Sequence, residues 1–97
     1  MYEIEYTPAA IVDLSHFQKH EQVKILEGVL VQLRYEPMIE TRNRKPMRAN
    51  AMAEWELRLG EFRVLYDVEE EVRIVEVQRI AQKRNNSFFF RGKQEDV

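Results

Sequence analysis

The chain contains no cysteine, which excludes disulfide bonds, thiolate zinc sites and cysteine nucleophiles. Its only three glycines, Gly28, Gly60 and Gly92, are too far apart to form a glycine-rich phosphate-binding loop. Its two histidines, His16 and His20, lie four residues apart, but a third ligand and the glutamate of a helical zinc motif are missing. We therefore expect neither a bound metal nor another cofactor.

A basic-then-apolar leader is also missing, and no uncharged apolar run approaches the ~18 residues that a membrane span requires. The 97 residues are 44% hydrophobic and 33% charged, which is typical of an ordinary globular protein. These features predict a single domain over residues 1–97, located in the cytoplasm and not bound to a membrane.

Charge is present in both signs, but it is strongly segregated along the chain. The net charge of −2 is not the profile of a simple nucleic-acid binder. However, residues 42–48 contain four basic residues and no acid, and residues 72–94 contain six basic residues and a single acid, Glu76. Local patches of this kind, rather than the total charge, decide whether a phosphate backbone is attracted.

The most informative segment is Trp55–Asp67, in which two runs of alternating apolar and polar residues flank Gly60-Glu61. This pattern predicts a tight β-hairpin with glycine at the first turn position. The predicted register places Trp55 opposite Tyr66, Leu57 opposite Val64, Arg58 opposite Arg63, and Leu59 opposite Phe62. One face of the hairpin is then apolar, and it consists of Trp55, Leu57, Leu59, Phe62, Val64 and Tyr66.

The opposite face of the hairpin carries Glu56, Arg58 and Arg63, with the two arginines directly opposed. Like charges in this arrangement destabilise a sheet by a fraction of a kcal/mol. An anion between the two guanidinium groups would relieve the repulsion, and phosphate suits the planar fork of arginine. A purely structural interpretation is that Glu56 neutralises Arg58.

The residues before the hairpin predict one strand and two helices. Residues Tyr2–Tyr6 alternate as a strand does, and Thr7-Pro8 is a favourable helix start. Apolar residues at helical spacing then form two stripes, and we expect a helical hairpin that ends near Tyr35. The two stripes consist of Ile11, Leu14 and Phe17, and of Val23, Leu26, Val29, Leu30 and Leu33.

The remaining residues complete a predicted α+β fold, in which an N-terminal strand and a two-helix hairpin precede a three-stranded antiparallel meander. Residues 37–54 are expected to form a long polar connection, and Val72–Ile80 the third strand of the meander. The helices cover the apolar face of the hairpin, which leaves the Arg58/Arg63 face for solvent or a ligand. Phe88–Phe90 either packs onto the core or docks a partner.

Cleavage of an RNA phosphodiester is chemically feasible with these residues. It needs cationic groups that stabilise the charge developing at the phosphate, a base for the 2′-hydroxyl and an acid for the leaving oxygen. Glu56 is the only candidate base on the polar hairpin face. The candidate cations are Arg58, Arg63, Arg79 and Lys83. The same cluster is equally consistent with binding nucleic acid without cutting it.

Four segments resemble the RelE/ParE superfamily of bacterial toxins. They are Lys45–Arg48, Trp55–Arg58, Phe62–Asp67 and Val77–Arg84, and the order of one strand, two helices and three strands also matches that family. The resemblance implies a toxin of a type II toxin–antitoxin pair. RelE-like members cut mRNA, many of them in the ribosomal A site, whereas ParE-like members poison DNA gyrase. Both are held inactive by a cognate antitoxin.

By position, Arg63 matches the family's hairpin arginine, Arg58 a basic residue on the preceding strand, and Lys83 a basic residue after the last strand. Glu56 stands where well-known nuclease members have lysine, and Phe88–Phe90 stands where a catalytic tyrosine is often found. The RelE-like branch is favoured, which implies metal-independent mRNA cleavage at the ribosome.

From the resemblance together with the charge pattern, we therefore expect an active site of Glu56, Arg58, Arg63, Arg79 and Lys83, and nucleic-acid contacts from Arg42, Arg44, Lys45, Arg48 and Arg84. The alternatives are a ParE-like gyrase inhibitor and a degenerate member that only binds its antitoxin.

Overall fold

The computed structural model describes all residues from 1 to 97 as two helices and one seven-stranded sheet. Neither helix is long and apolar enough to cross a membrane. The elements in chain order are β1 (Glu3–Tyr6), α1 (Pro8–Ser15), α2 (Lys19–Leu33), β2 (Arg44–Pro46), β3 (Trp55–Leu59), β4 (Phe62–Glu69), β5 (Ile74–Arg84), β6 (Ser87–Phe90) and β7 (Lys93–Glu95). The predicted α+β class and the order of its first elements are confirmed.

The two helices begin where local chemistry satisfies their free N–H groups. The Thr7 side chain accepts a hydrogen bond from the Ala10 amide at 3.1 Å, and Pro8 occupies the first turn. The helical conformation is interrupted between Ser15 and Lys19, although neither glycine nor proline occurs there. At the start of α2, the Gln18 amide donates to the Glu21 carboxylate at 3.0 Å, which is half of a capping box. The predicted helical hairpin is confirmed, and α2 ends two residues before Tyr35.

The β3–β4 hairpin has the predicted register, with Arg58 opposite Arg63. Gly60 has a φ of +60°, as a glycine at the first position of a two-residue hairpin turn requires. β5 follows as the next antiparallel strand, but it extends four residues beyond Ile80. It is longer than expected because its second half has a partner, β6, that the prediction did not include.

Three short strands extend the sheet beyond the predicted meander. β2 lies within the polar connection and pairs with β3, whereas β6 and β7 follow β5 as successive hairpins. The turns between them are two-residue turns with positive φ, at Asn85-Asn86 (49° and 69°) and at Arg91-Gly92 (54° and 77°). Phe88–Phe90 is therefore strand β6, and its last side chain, Phe90, is buried.

One edge of β5 is shared by two strands that leave a gap between them. β1 pairs in parallel with the first half of β5 up to Val77, and β6 pairs with its end. Thr7 fills part of the gap, since its amide donates to the Val77 carbonyl at 3.1 Å and its hydroxyl to the Gln78 carbonyl at 2.9 Å. The Asp13 carboxylate accepts from the Ile80 amide at 2.9 Å. Helix α1 is thereby attached to the middle of the sheet.

The main core lies between the helices and the apolar face of the hairpin, as predicted. Within it the Tyr66 hydroxyl donates to the Pro37 carbonyl at 2.6 Å. The predicted stripe of α2 is only partly right, because Val23, Leu26 and Leu30 are exposed. The residues that face the sheet are spaced four apart, and α2 is therefore rotated about its own axis by part of a turn relative to the predicted orientation. They are Ile25, Val29 and Leu33.

A second, smaller core covers the opposite face of the sheet, where the prediction left open space for solvent or a ligand. Its four buried residues are Ala53, Leu65, Ala81 and Phe90. Met47 and Met52 pack against it from residues 47–54, here called the 47–54 loop, and Phe88 packs against it from β6. The Arg58/Arg63 face is therefore partly covered by these residues, and its charged side chains lie at the edge of the covered area.

Candidate functional site

The opposed arginines of the hairpin differ in their contacts. Arg58 Nε donates to Glu56 Oε2 at 2.7 Å, and the Glu56 side chain is only 9% exposed whereas that of Arg58 is 43% exposed. The buried carboxylate therefore holds one of the two arginines, as the structural interpretation of the sequence anticipated.

Arg63 has no acidic partner. Its Nη1 group donates to two carbonyls of the adjacent turn, those of Gly60 at 2.6 Å and Phe62 at 2.9 Å. Its Nε is buried and has no hydrogen-bond partner. Burial lowers the pKa of Arg63, the charge of Arg58 lowers it further, and Glu56 acts in the opposite direction. A buried donor without an acceptor costs about 1–3 kcal/mol, and because this atom is shielded from solvent, a ligand oxygen reaches it only if the Arg63 side chain moves.

A cavity of about 210 Å³ brings part of this hairpin face together with the basic segment of the connection. We call it the basic cleft. Glu56 and Arg58 line it from β3, Lys45 from β2 and Arg48 from the 47–54 loop, and Phe88 lines it from β6. Its side chains include three bases and one acid, and this excess of positive charge suits an anionic ligand. Neither tyrosine nor histidine lines it, so among its side chains Glu56 is the one carboxylate and the one candidate base.

Two of the residues predicted to contact nucleic acid have other partners. Arg44 Nη1 donates to the Gln32 carbonyl at 2.7 Å, and its Nε to the Ile39 carbonyl at 2.9 Å. These bonds tie the connection to the end of α2, so the contacts of Arg44 are structural. Lys45 pairs with Glu40 at 3.3 Å on the surface, and a pair of this kind is weak enough to exchange for another anion.

Arg79 was predicted to assist at the phosphate, but its guanidinium is already bound by Asp13. The Asp13 carboxylate is fully buried and accepts from Arg79 Nε at 2.7 Å and from Arg79 Nη2 at 3.1 Å. Its hydrogen bond raises the pKa of Arg79. Arg91 Nε also donates to Asp13, at 2.7 Å, and Arg79 lies over the Phe90 ring at 4.4 Å. These contacts assign Arg79 a structural role.

Sequence reasoning did not identify Asp13 or Arg91. The one signal for Asp13 was its position beside Leu14 on the apolar stripe of α1, since an acid on a buried helix face requires a partner. Nothing in the local sequence pointed to Arg91 as that partner, because the two residues are 78 positions apart.

The remaining predicted residues keep their charges accessible. Lys83 Nζ lies 5.7 Å from the ring centre of Phe88, so it adjoins the basic cleft across that ring. Arg84 lies over the Phe89 ring at 5.1 Å. Arg42 is exposed and has no ion pair. Arg48 is exposed in the same way.

Comparison of the sequence with protein-family models and with curated proteins finds no match. Solved structures do match. A chain of the RelBE2 toxin–antitoxin complex from Mycobacterium tuberculosis is 26% identical, with a TM-score of 0.73, covering 84% of this chain and 98% of that one.

Two further structures share the fold at lower identity. The archaeal RelE–RelB complex from Pyrococcus horikoshii is 19% identical, with a TM-score of 0.68 over 89% of this chain and 98% of that one. The isolated RelE toxin of E. coli is 18% identical, with a TM-score of 0.68 over 88% and 87% of the two chains.

Proposed function

We propose that this chain, which is a RelE-like toxin of a toxin–antitoxin system, inhibits translation by cutting mRNA at the ribosome with its own side chains. The observation that carries the proposal is the pair Arg58 and Arg63, which are directly opposed on the hairpin. Arg63 has a buried Nε that lacks an acceptor. A phosphate between the two guanidinium groups would relieve the repulsion, and it would supply that acceptor once the Arg63 side chain turns outward.

In the proposed reaction, the scissile phosphate displaces Arg58 from Glu56. The freed Glu56 carboxylate takes the proton of the 2′-hydroxyl, whose oxygen attacks phosphorus as the bond to the 5′ oxygen breaks. Both arginines stabilise the charge that develops on the phosphate oxygens. Lys83, on the other side of the Phe88 ring, is the candidate acid that protonates the leaving 5′ oxygen.

The neighbouring RNA backbone would contact the basic residues that are free to move toward it. Arg48 and Lys45 line the basic cleft, and Arg42 is exposed two residues before β2. Each phosphate contact of this kind adds affinity that salt reduces. Arg44 and Arg79 do not belong to this set because their guanidinium groups are bound within the protein. Arg84 does not belong to it either, because it lies with Phe89 on the helix side of the sheet, away from the basic cleft.

The proposed protein partner is a cognate antitoxin. Two of the similar structures are complexes of this kind, namely the RelBE2 toxin–antitoxin complex and the archaeal RelE–RelB complex. A surface for it is the exposed apolar side of the helices. Val23, Leu30 and Val31 of α2 are exposed, and so is Ile11 of α1. Phe90 is buried, which favours the helical side over β6 as the binding surface. Co-expression with the product of an adjacent reading frame should give a stable complex that restores growth.

Brief induction in cells, followed by mapping of transcript 5′ ends, tests the proposed activity. New ends should appear in translated messages and should disappear with Arg63→Ala, because one charge-assisted contact is worth about 1.5–3 kcal/mol. Arg73→Ala is the matched control, since it removes the same charge from the exposed β4–β5 turn at the other end of the hairpin strand. Melting temperatures of both variants that equal that of the wild-type protein would exclude an effect on folding.

Transcript mapping combined with a gyrase supercoiling assay and a test of antitoxin binding separates the alternatives. Intact messages together with inhibited gyrase supercoiling would contradict cleavage and indicate a gyrase inhibitor. Intact messages with normal supercoiling, and an antitoxin complex that still forms, would indicate a member that only binds its antitoxin.

A further inference from the structure

The 47–54 loop is a short segment without regular secondary structure that is nevertheless closed at its ends. The Met47 amide donates to the Glu54 carbonyl at 2.8 Å, which brings the two ends together. The Glu54 amide in turn donates to Asp67 Oδ1 at 2.7 Å, which attaches the loop to β4. Compact loops with adjoining ends of this kind frequently carry function.

The Asn50 side chain makes four hydrogen bonds with backbone groups inside this loop. Its Oδ1 accepts from the Met52 amide at 2.7 Å and from the Ala53 amide at 3.0 Å. Its Nδ2 donates to the Arg48 carbonyl at 2.7 Å and to the Ala53 carbonyl at 2.9 Å. Both donors and both acceptor positions of the amide are therefore used within the loop, and Asn50 also lines the basic cleft.

Arg48 depends on this loop for its position. Its side chain is exposed and has no ion pair or hydrogen bond that would orient it. Only the backbone of Arg48 is therefore held by the protein, and the Arg48 carbonyl is one of the two groups to which Asn50 donates. Holding that backbone in one conformation before a ligand arrives removes an ordering cost from binding.

We propose that Asn50 is a positioning residue that presents Arg48 to the phosphate backbone of single-stranded RNA at the basic cleft. The inference rests on the proposed function, in which that cleft takes RNA. Asn50 itself carries no charge and acts through Arg48.

The test is a double-mutant cycle on binding of a fluorescein-labelled 2′-O-methyl oligouridine, which cannot be cleaved through its 2′ oxygen. Arg48→Ala and Asn50→Ala should each weaken binding by roughly 5–20-fold, as expected for loss of one phosphate contact. The double variant should bind no more weakly than Arg48→Ala alone, because the second change removes something already lost.

Salt dependence gives a readout that general destabilisation would not move. For single-stranded RNA, loss of one phosphate contact reduces the slope of log affinity against log salt by about 0.7. Asn50→Ala should show this reduction although it removes no charge. Asn50→Ser is the second variant, since its hydroxyl can still accept from the following amides, and it should give the same change if the alanine variant folds poorly.

Three results would overturn the inference. They are unchanged binding by the Asn50 variants, losses that add in the double variant, and unchanged binding by Arg48→Ala. Failure of the proposed function is distinct from these. If the variants show the predicted coupling but the wild-type protein leaves transcripts intact, cleavage is refuted and the role of Asn50 still holds.

Discussion

Replacement of Asp13 should be one of the most destabilising single changes in this protein. The carboxylate is fully buried in α1 and accepts four hydrogen bonds. They come from the Ile80 amide, twice from Arg79, and from Arg91 in the β6–β7 turn. The group thus joins three parts of the fold that lie far apart in sequence.

The size of the effect follows from what Asp13→Ala leaves behind. Arg79 is only 20% exposed, so it would keep a largely buried charge with only the longer contact to Glu95 at 3.9 Å, and the Ile80 amide would lose its acceptor. Removing one member of a buried ion pair typically costs about 3–5 kcal/mol. At roughly 4–8 °C per kcal/mol for a domain of this size, the melting temperature should fall by at least about 12 °C.

Thermal and urea unfolding followed by circular dichroism would measure this loss. Asp13→Asn keeps the volume and one acceptor oxygen, so it should be destabilised less than Asp13→Ala but still clearly. Asp96→Asn is the matched control, because the same change at an exposed residue should alter stability by no more than about 0.5 kcal/mol. A melting temperature for Asp13→Asn that equals that of the control would refute the view that this carboxylate joins α1 to the sheet.

Three further predictions concern other residues. Tyr66→Phe removes the buried hydroxyl that donates to Pro37 at 2.6 Å, and urea unfolding should show a loss of about 1–2 kcal/mol; unchanged stability would mean that this bond contributes nothing. Glu56→Gln releases Arg58, so an oligonucleotide should bind more tightly while cleavage falls by about 10²–10⁴-fold, and a parallel change in both quantities would contradict the assignment of Glu56 as base. Burial raises the pKa of Tyr6 to about 12, above the value of about 10 in an unfolded chain, so its contribution to stability should be constant below pH 10 and be lost as pH rises toward 12; titration of tyrosine absorbance that ends near pH 10 would contradict this.

Much of the fold was determined by short-range patterns in the sequence. Strict alternation around Gly60-Glu61 specifies the register of the hairpin, because a slip by one residue would turn every apolar side chain to the other face. Thr7-Pro8 specifies the start of α1, since a capping hydroxyl and a fixed φ act within one turn. The opposed pair Arg58 and Arg63 follows from the same register, and so does the polar hairpin face that contributes Glu56 and Arg58 to the basic cleft.

Short-range patterns of this kind could not predict the short strands. β2, β6 and β7 contain only three or four residues each, and strands so short are stable only where a neighbour pairs with them. The rotation of α2 was undetermined for a related reason. Ile25 and Leu26 both fit an apolar stripe, and packing against the sheet decides which of them is buried.

The tertiary structure alone also decided which basic residues are free. Arg44 and Arg79 look no different in sequence from Arg42 and Arg48, yet the first two are bound by carbonyls of the Gln32 region and by Asp13. Asp13 and Arg79 are 66 positions apart. An arginine is available to a ligand only when no acceptor of its own chain is within reach, and that depends on how distant segments meet rather than on local sequence.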